Sequence, residues 1–168
     1  PHTVGANKCF LYLRYEYRNL KPLIEAAFKK YTTELNPLVS ELTLDVIMGA
    51  GPYICGEETA LFESVEGDLP QPRTLRQIFP TKRGLFNCPT LVGNVETFAW
   101  VPHLVYPGGA QAYAASGVNG QVGAKLFSVS GAVERPTLAE CPMGSTVWDV
   151  LEQTCGYDAS EVAAVEVG

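Results

Sequence analysis

"LTLDVIMGAGPYICGEETALFESVEG", residues 42 to 67, decides how this chain folds. Residues 42 to 49 are mostly apolar, with Val and Ile adjacent, and stop at glycine, which predicts a strand. The second half predicts a helix that buries Ala60, Leu61, Ser64 and Val65 on one side and ends at Gly67 as a left-handed cap. Between them Gly49, Gly51 and Gly56 precede two adjacent carboxylates, Glu57 and Glu58, at the helix start. Such turns welcome phosphate, because backbone N–H groups and the positive end of the helix dipole converge there. Two glutamates repel a phosphate. Either they only cap the helix, a placement favoured by about 0.3 to 1 kcal/mol, or they hold the non-phosphate end of a ligand. The Gly-x-Gly fails stricter templates, since Ile54 follows and no Gly-Lys-Ser/Thr is present.

Toward the N-terminus, "CFLYLRYEY" (9 to 17) predicts a buried strand. Leu20, Leu23, Ile24, Ala27, Phe28 and Tyr31 then form an apolar stripe at helical spacing, with Asn19 as the expected N-cap. Strand, helix and strand in that order predict a right-handed crossover of a parallel sheet, hence an α/β fold. The glycine turn then falls past the carboxyl end of the second strand, where open α/β sheets bind ligands.

Toward the C-terminus, residues 68 to 92 hold Pro70, Pro72, Pro80 and Pro89 with Arg73, Arg76, Lys82 and Arg83, a long irregular basic loop. It reads either as a solvated linker or as an anion-facing loop tethered by Phe79, Leu85 and Phe86. "GNVETFAWVPHLV" (93 to 105) predicts a helix capped by Asn94 and kinked or ended by Pro102. Two strands and a helix follow, with Ser145 as N-cap, Val147, Trp148 and Leu151 as the apolar face and Gly156 as the stop. Two domains are expected, 1–122 and 123–168, and the closing Val-Glu-Val looks like an unfinished strand, as in an excised piece.

Composition narrows the function. A net charge of −6 and a pI near 4.9 leave no basic stripe for nucleic acid. No apolar run reaches the roughly 18 residues of a membrane span and no signal segment opens the chain, so a soluble, cytoplasmic protein is expected. Five cysteines without a C-x-x-C pair fit a reducing compartment and small buried apolar roles, and two histidines are too few for a metal site. No nucleophile elbow or Ser-His-Asp order points to a hydrolase.

"GAGPYICGEETAL", "FPTKRGLFNCPT", "GNVETF" and "KLFSVSGAVERP", in this order, resemble the NADH-binding flavoprotein subunit of respiratory complex I. Its relatives are the diaphorase subunits of NAD-linked hydrogenases and formate dehydrogenases. The resemblance covers essentially the whole chain. It implies a partial Rossmann-like FMN-binding domain followed by a small β-grasp module of the SLBB type. Tyr53, Gly56 and Glu57 match positions lining the flavin, Gly56 letting main chain approach the rings. Asn94 and Thr97 match the ribityl-phosphate end of FMN. Glu58 matches the carboxylate on the nicotinamide side of NAD(H), Phe79 an aromatic on its adenine side, and Arg76 approximates a lysine. No residue is implied as catalytic, because hydride passes from cofactor to cofactor. The resemblance further implies a parent NADH dehydrogenase whose electrons reach iron–sulfur centres, with iron–sulfur subunits as partners. The family's first glycine-rich flavin loop and its 4Fe-4S cysteines have no match in residues 1–168, so these residues alone are expected to bind FMN poorly. Where the family has Asn-Asn this chain has Gly93-Asn94, and the stretch from Pro72 to Phe79 is one residue longer. A non-redox ligand-binding or subunit-docking module is the alternative.

Overall fold

A computed structural model describes residues 2–35, 42–49, 51–74, 79–158 and 161–168. It is a mixed helix and strand structure whose described strands form two sheets of two strands each. Contacts group the chain into two compact units, 1–92 and 93–168.

In the first unit, β1 (Lys8–Arg14) pairs in parallel with β2 (Thr43–Gly49), from Lys8 opposite Thr43 to Arg14 opposite Gly49. Parallel neighbours need a long crossover, and α1 (Lys21–Leu35) lies in it. β1 ends three residues before the expected Tyr17, at Arg14 opposite Gly49, the last residue of β2. Residues Tyr15–Leu20 instead wind into a 3₁₀ turn that runs into α1, so Asn19 lies inside the turn and is not an N-cap. The apolar stripe of α1 is split. Ile24 and Phe28 are half-buried, whereas Leu20, Leu23, Ala27 and Tyr31 are exposed.

After β2 comes a second 3₁₀ turn, Tyr53–Gly56, and then α2 (Glu58–Glu66). Ala60 is buried as expected. The other fully buried side chain of α2 is Phe62, at 1% exposure, while Leu61, Ser64 and Val65 are half-buried. The Ser64 hydroxyl meets that of Tyr12 at 2.8 Å, tying α2 to β1. Burial of the Tyr12 ring pushes its pKa up despite this hydrogen bond. Gly67 takes the left-handed cap with φ 92°.

Of the apolar tethers expected in the loop, only Leu85 is buried. Phe79 and Phe86 are 70% and 56% exposed. The described loop is fixed by polar contacts instead.

In the second unit, α3 (Val95–Val105) continues through Pro102 to Val105. α4 (Gly109–Ala115), which the sequence pattern does not announce, follows, and Trp100 meets Tyr113 edge-on at 4.9 Å. β3 (Ala124–Val129) and β4 (Thr137–Pro142) form an antiparallel pair, and α5 (Val147–Cys155) packs against them. The N-cap of α5 is Thr146 rather than Ser145. Its buried residues are Val150, Leu151 and Cys155, with Val147 and Trp148 exposed. Val165, Glu166 and Val167 form no strand. Glu96 Oε1 accepts from the Leu126 N–H at 2.8 Å and Val118 N–H donates to Met143 O at 2.9 Å, so the α3–α4 segment belongs with the hairpin. Among the described residues no helix is long and apolar enough to cross a membrane.

Candidate functional site

The glycine turn is nailed down from inside. Cys55 is 4% exposed, its N–H bonds Pro52 O at 3.0 Å, and Glu57 N–H bonds Ile54 O at 3.0 Å. With the turn pinned by Cys55, Tyr53 stands 91% exposed beside it. At Gly56 the backbone is in an ordinary region and a Cβ would meet no atom within 4 Å. Nothing in the described chain therefore demands glycine at that position. A bare main-chain edge facing open space is what a flat ligand needs in order to lie close.

The two acids differ in their surroundings. Glu57 is the N-cap of α2: its Oε2 accepts from Thr59 N at 3.0 Å, Ala60 N at 2.8 Å and Thr59 Oγ1 at 2.6 Å. Three donors on one oxygen satisfy orphan N–H groups of the helix terminus. Glu58 is the first helical residue and exposed, and its side chain makes no hydrogen bond or ion pair among the described residues. Its carboxylate is available to a ligand.

The loop meets α2 through Arg73. Its Nε donates to Glu63 Oε1, its Nη2 to Glu66 Oε2 at 2.9 Å and its Nη1 to Gly84 O at 3.3 Å, and the guanidinium lies 5.5 Å from the Phe62 ring centre. Its hydrogen bond to Glu63 raises the Arg73 pKa above the ordinary value. This cation, expected to face an anion, is committed to α2. Glu66 Oε1 also accepts from Phe86 N at 2.6 Å, so one carboxylate grips both arms of the loop. Phe79 is exposed, while its carbonyl accepts from Lys82 N at 2.8 Å and Arg83 N at 3.1 Å. Arg76 lies outside the described residues. Sequence reasoning missed Arg73 and Thr59. The available signal was Glu63 and Glu66, three apart on one helix face beside a cation-rich loop.

In the second unit Asn94 caps α3, its Oδ1 accepting from Glu96 N at 2.8 Å, and Asn94 and Thr97 are both exposed at that terminus. The Glu96 carboxylate is held at β3 by Leu126 N and by Lys125 Nζ at 3.7 Å. At Gly93 a Cβ would fall 2.7 Å from the Phe98 ring, so a larger residue there would require that ring to move. Tyr53, Gly56, Glu57 and Glu58 are thus gathered in one short turn, with Phe79 in the same unit and Asn94 and Thr97 in the other.

Residues 1–103 match the family described as the Nuo51 FMN-binding domain. An NADH-quinone oxidoreductase subunit of Aquifex aeolicus (strain VF5) is 42% identical over 161 residues, which cover 92% of this chain and 37% of that protein. Its counterpart in Rickettsia bellii (strain OSU 85-389) is 38% identical over 160 residues, covering 92% and 38%. The chain therefore spans well under half the length of these relatives. A solved NAD+-reducing [NiFe]-hydrogenase in the H2-reduced state superposes with a TM-score of 0.79 at 42% identity, over 88% of this chain and 25% of that one. The chain belongs to the Nuo51 FMN-binding domain family.

Proposed function

We propose that this chain is part of an NADH dehydrogenase (diaphorase) subunit in which residues 1–122 contribute to a Rossmann-like site for FMN and NAD(H). The observation that carries the reading is the turn at 53–58: an exposed Tyr53, a Gly56 whose substituent position is open, and a Glu58 unpartnered among the described residues. These features fit a planar cofactor and a polar, uncharged portion of a dinucleotide. The flavin, when bound, supplies the hydride acceptor and hands electrons on singly.

The chain's own residues bind and orient. Tyr53 offers an aromatic face, Gly56 lets the main chain come close, and Glu57 stays fixed as a cap. Glu58 accepts hydrogen bonds from ribose hydroxyls or the carboxamide, and Phe79 and Arg76 attend the adenine side. Asn94 and Thr97 stand at a helix N-terminus suited to the FMN phosphate. No side chain has to donate or remove a proton for hydride transfer. Residues 123–168 begin a β-grasp module, a reading supported by the β3–β4 pair and α5. The 4Fe-4S ligands and the iron–sulfur partner subunits belong to the parent complex, in its cytoplasmic peripheral arm.

The test is to purify the full-length subunit in its complex, record its absorbance after desalting and add NADH. Flavin bands that bleach on NADH addition support the reading. A protein without flavin that still assembles with its partners would favour the docking module.

A further inference from the structure

Two hydrogen bonds meet at the Thr59 hydroxyl. Arg73 N–H donates to Thr59 Oγ1 at 2.9 Å, and Thr59 Oγ1 donates in turn to Glu57 Oε2 at 2.6 Å. The same Arg73 is fastened by its side chain to Glu63, Glu66 and Gly84 O, and Glu66 holds Phe86 N. The carboxylates and guanidinium are mostly shielded, with 20%, 18% and 27% of the Glu63, Glu66 and Arg73 side chains exposed. A hydroxyl can both accept and donate, so a single threonine can relay the position of the loop main chain to the Glu57 carboxylate. Bonds to charged groups are also the stronger kind.

We propose that Thr59 and Arg73 are positioning residues forming one mechanical tie. The Arg73 clamp fixes the loop against α2, and the Thr59 relay makes the setting of Glu57, on the flavin side, depend on that loop, which bears Phe79 on the dinucleotide side. Thr59 and Arg73 touch neither ligand. The tie rests on the functional reading above for the identity of those ligands, while its mechanical half stands on this chain alone.

The experiment uses the full-length subunit in its complex and compares Thr59→Val, Thr59→Ser, Arg73→Gln, Arg73→Lys and the double Thr59→Val/Arg73→Gln. Hydrogen–deuterium exchange without nucleotide reads the mechanical half. Arg73→Gln should speed exchange about tenfold at the Phe86 amide and also at the Thr59 and Ala60 amides of the first turn of α2, the size expected for losing a bond to a charged group. Thr59→Val should speed exchange at the Arg73 amide and Thr59→Ser should restore it. FMN dissociation and the KM for NADH read the functional half. Both Thr59→Val and Arg73→Gln should weaken FMN and raise KM about tenfold, with kcat changing less, and the double variant should cost clearly less than the product of the two single effects. Arg73→Lys, which keeps the charge but not the fork, should fall between, and it replaces Arg73→Gln if that variant does not fold. Multiplying effects, or a Thr59→Val protein that behaves as wild type, overturns the tie. If wild type itself holds no flavin, the functional reading fails, and the exchange data still decide the mechanical half.

Discussion

Glu57 and Glu58 are neighbours of identical chemistry with opposite circumstances. Glu57 Oε2 is surrounded by three donors, whereas Glu58 is exposed and unpartnered among the described residues. Glu58→Gln keeps the shape and removes the charge. In the full-length subunit it should raise the KM for NADH roughly tenfold, the weight of a hydrogen bond to a charged group, and leave the bound flavin unchanged. Steady-state kinetics beside an absorbance count of FMN decide it, and unaltered KM would remove Glu58 from the site. Gly56 allows a sharper separation of fold from function. Since its Cβ position is open and its φ is not positive, Gly56→Ala should hold or raise the apoprotein's stability, by up to about 1 kcal/mol, yet weaken FMN binding. A thermal melt and a flavin fluorescence titration on one preparation check both halves, and a stability loss would show that the glycine serves the fold. The turn was readable in the sequence because glycine and paired acids carry their geometry with them. The partners of Arg73 were not, since Glu63 and Glu66 stand 10 and 7 residues away and their three-residue spacing on α2 does not say which cation of the loop they take.

The elements obey local rules unevenly. The strand–helix–strand order foretold the parallel pair of β1 and β2. α4 escaped notice because "GAQAYAA" has alanines, a glycine and a glutamine around one tyrosine and so no apolar stripe, and that tyrosine, Tyr113, meets Trp100 of α3. For α5, Ser145, expected as the cap, is followed by Thr146, another residue type that caps helices. Only Thr146 has an acid three residues later, and the capping box it forms with Asp149 settles the start: Asp149 N donates to Thr146 Oγ1 at 3.1 Å and Thr146 N to Asp149 Oδ2 at 2.7 Å. Thr146→Ala should cost the second unit about 1 kcal/mol in urea unfolding. Hydrogen bonds from the Thr146 hydroxyl and then its main chain depress the Asp149 pKa below 3.8. A depressed folded value means the contribution is fully present above about pH 4 and is lost as pH falls through that lower value. Asp149→Asn should thus be less stable than wild type at neutral pH, with the gap closing in acid. A gap independent of pH would mean that the carboxylate charge contributes nothing to the cap.

At the scale of the molecule, contacts separate residues 1–92 from 93–168, and the aromatic residues supply a natural reporter. Both tryptophans, Trp100 and Trp148, lie in the second unit, whereas the first contains none. Tryptophan fluorescence therefore follows one unit, and far-UV circular dichroism follows both. The core of the first unit leans on Phe62, 1% exposed beneath the Arg73 guanidinium, and that of the second on Leu151, 7% exposed. Truncating a buried aromatic costs about 3 to 5 kcal/mol and a buried leucine about 2 to 5. Phe62→Ala should then move part of the circular dichroism transition to lower urea and leave the tryptophan transition in place, while Leu151→Ala should move the tryptophan transition. Distant sites with no shared partners are expected to act additively, so the double variant should show both shifts at their single-variant size. If Phe62→Ala drags the tryptophan signal with it, the two units unfold as one cooperative body. Damage in either unit would then reach the other through stability alone, and the effects of Gly56→Ala and Glu58→Gln would have to be judged against that common loss.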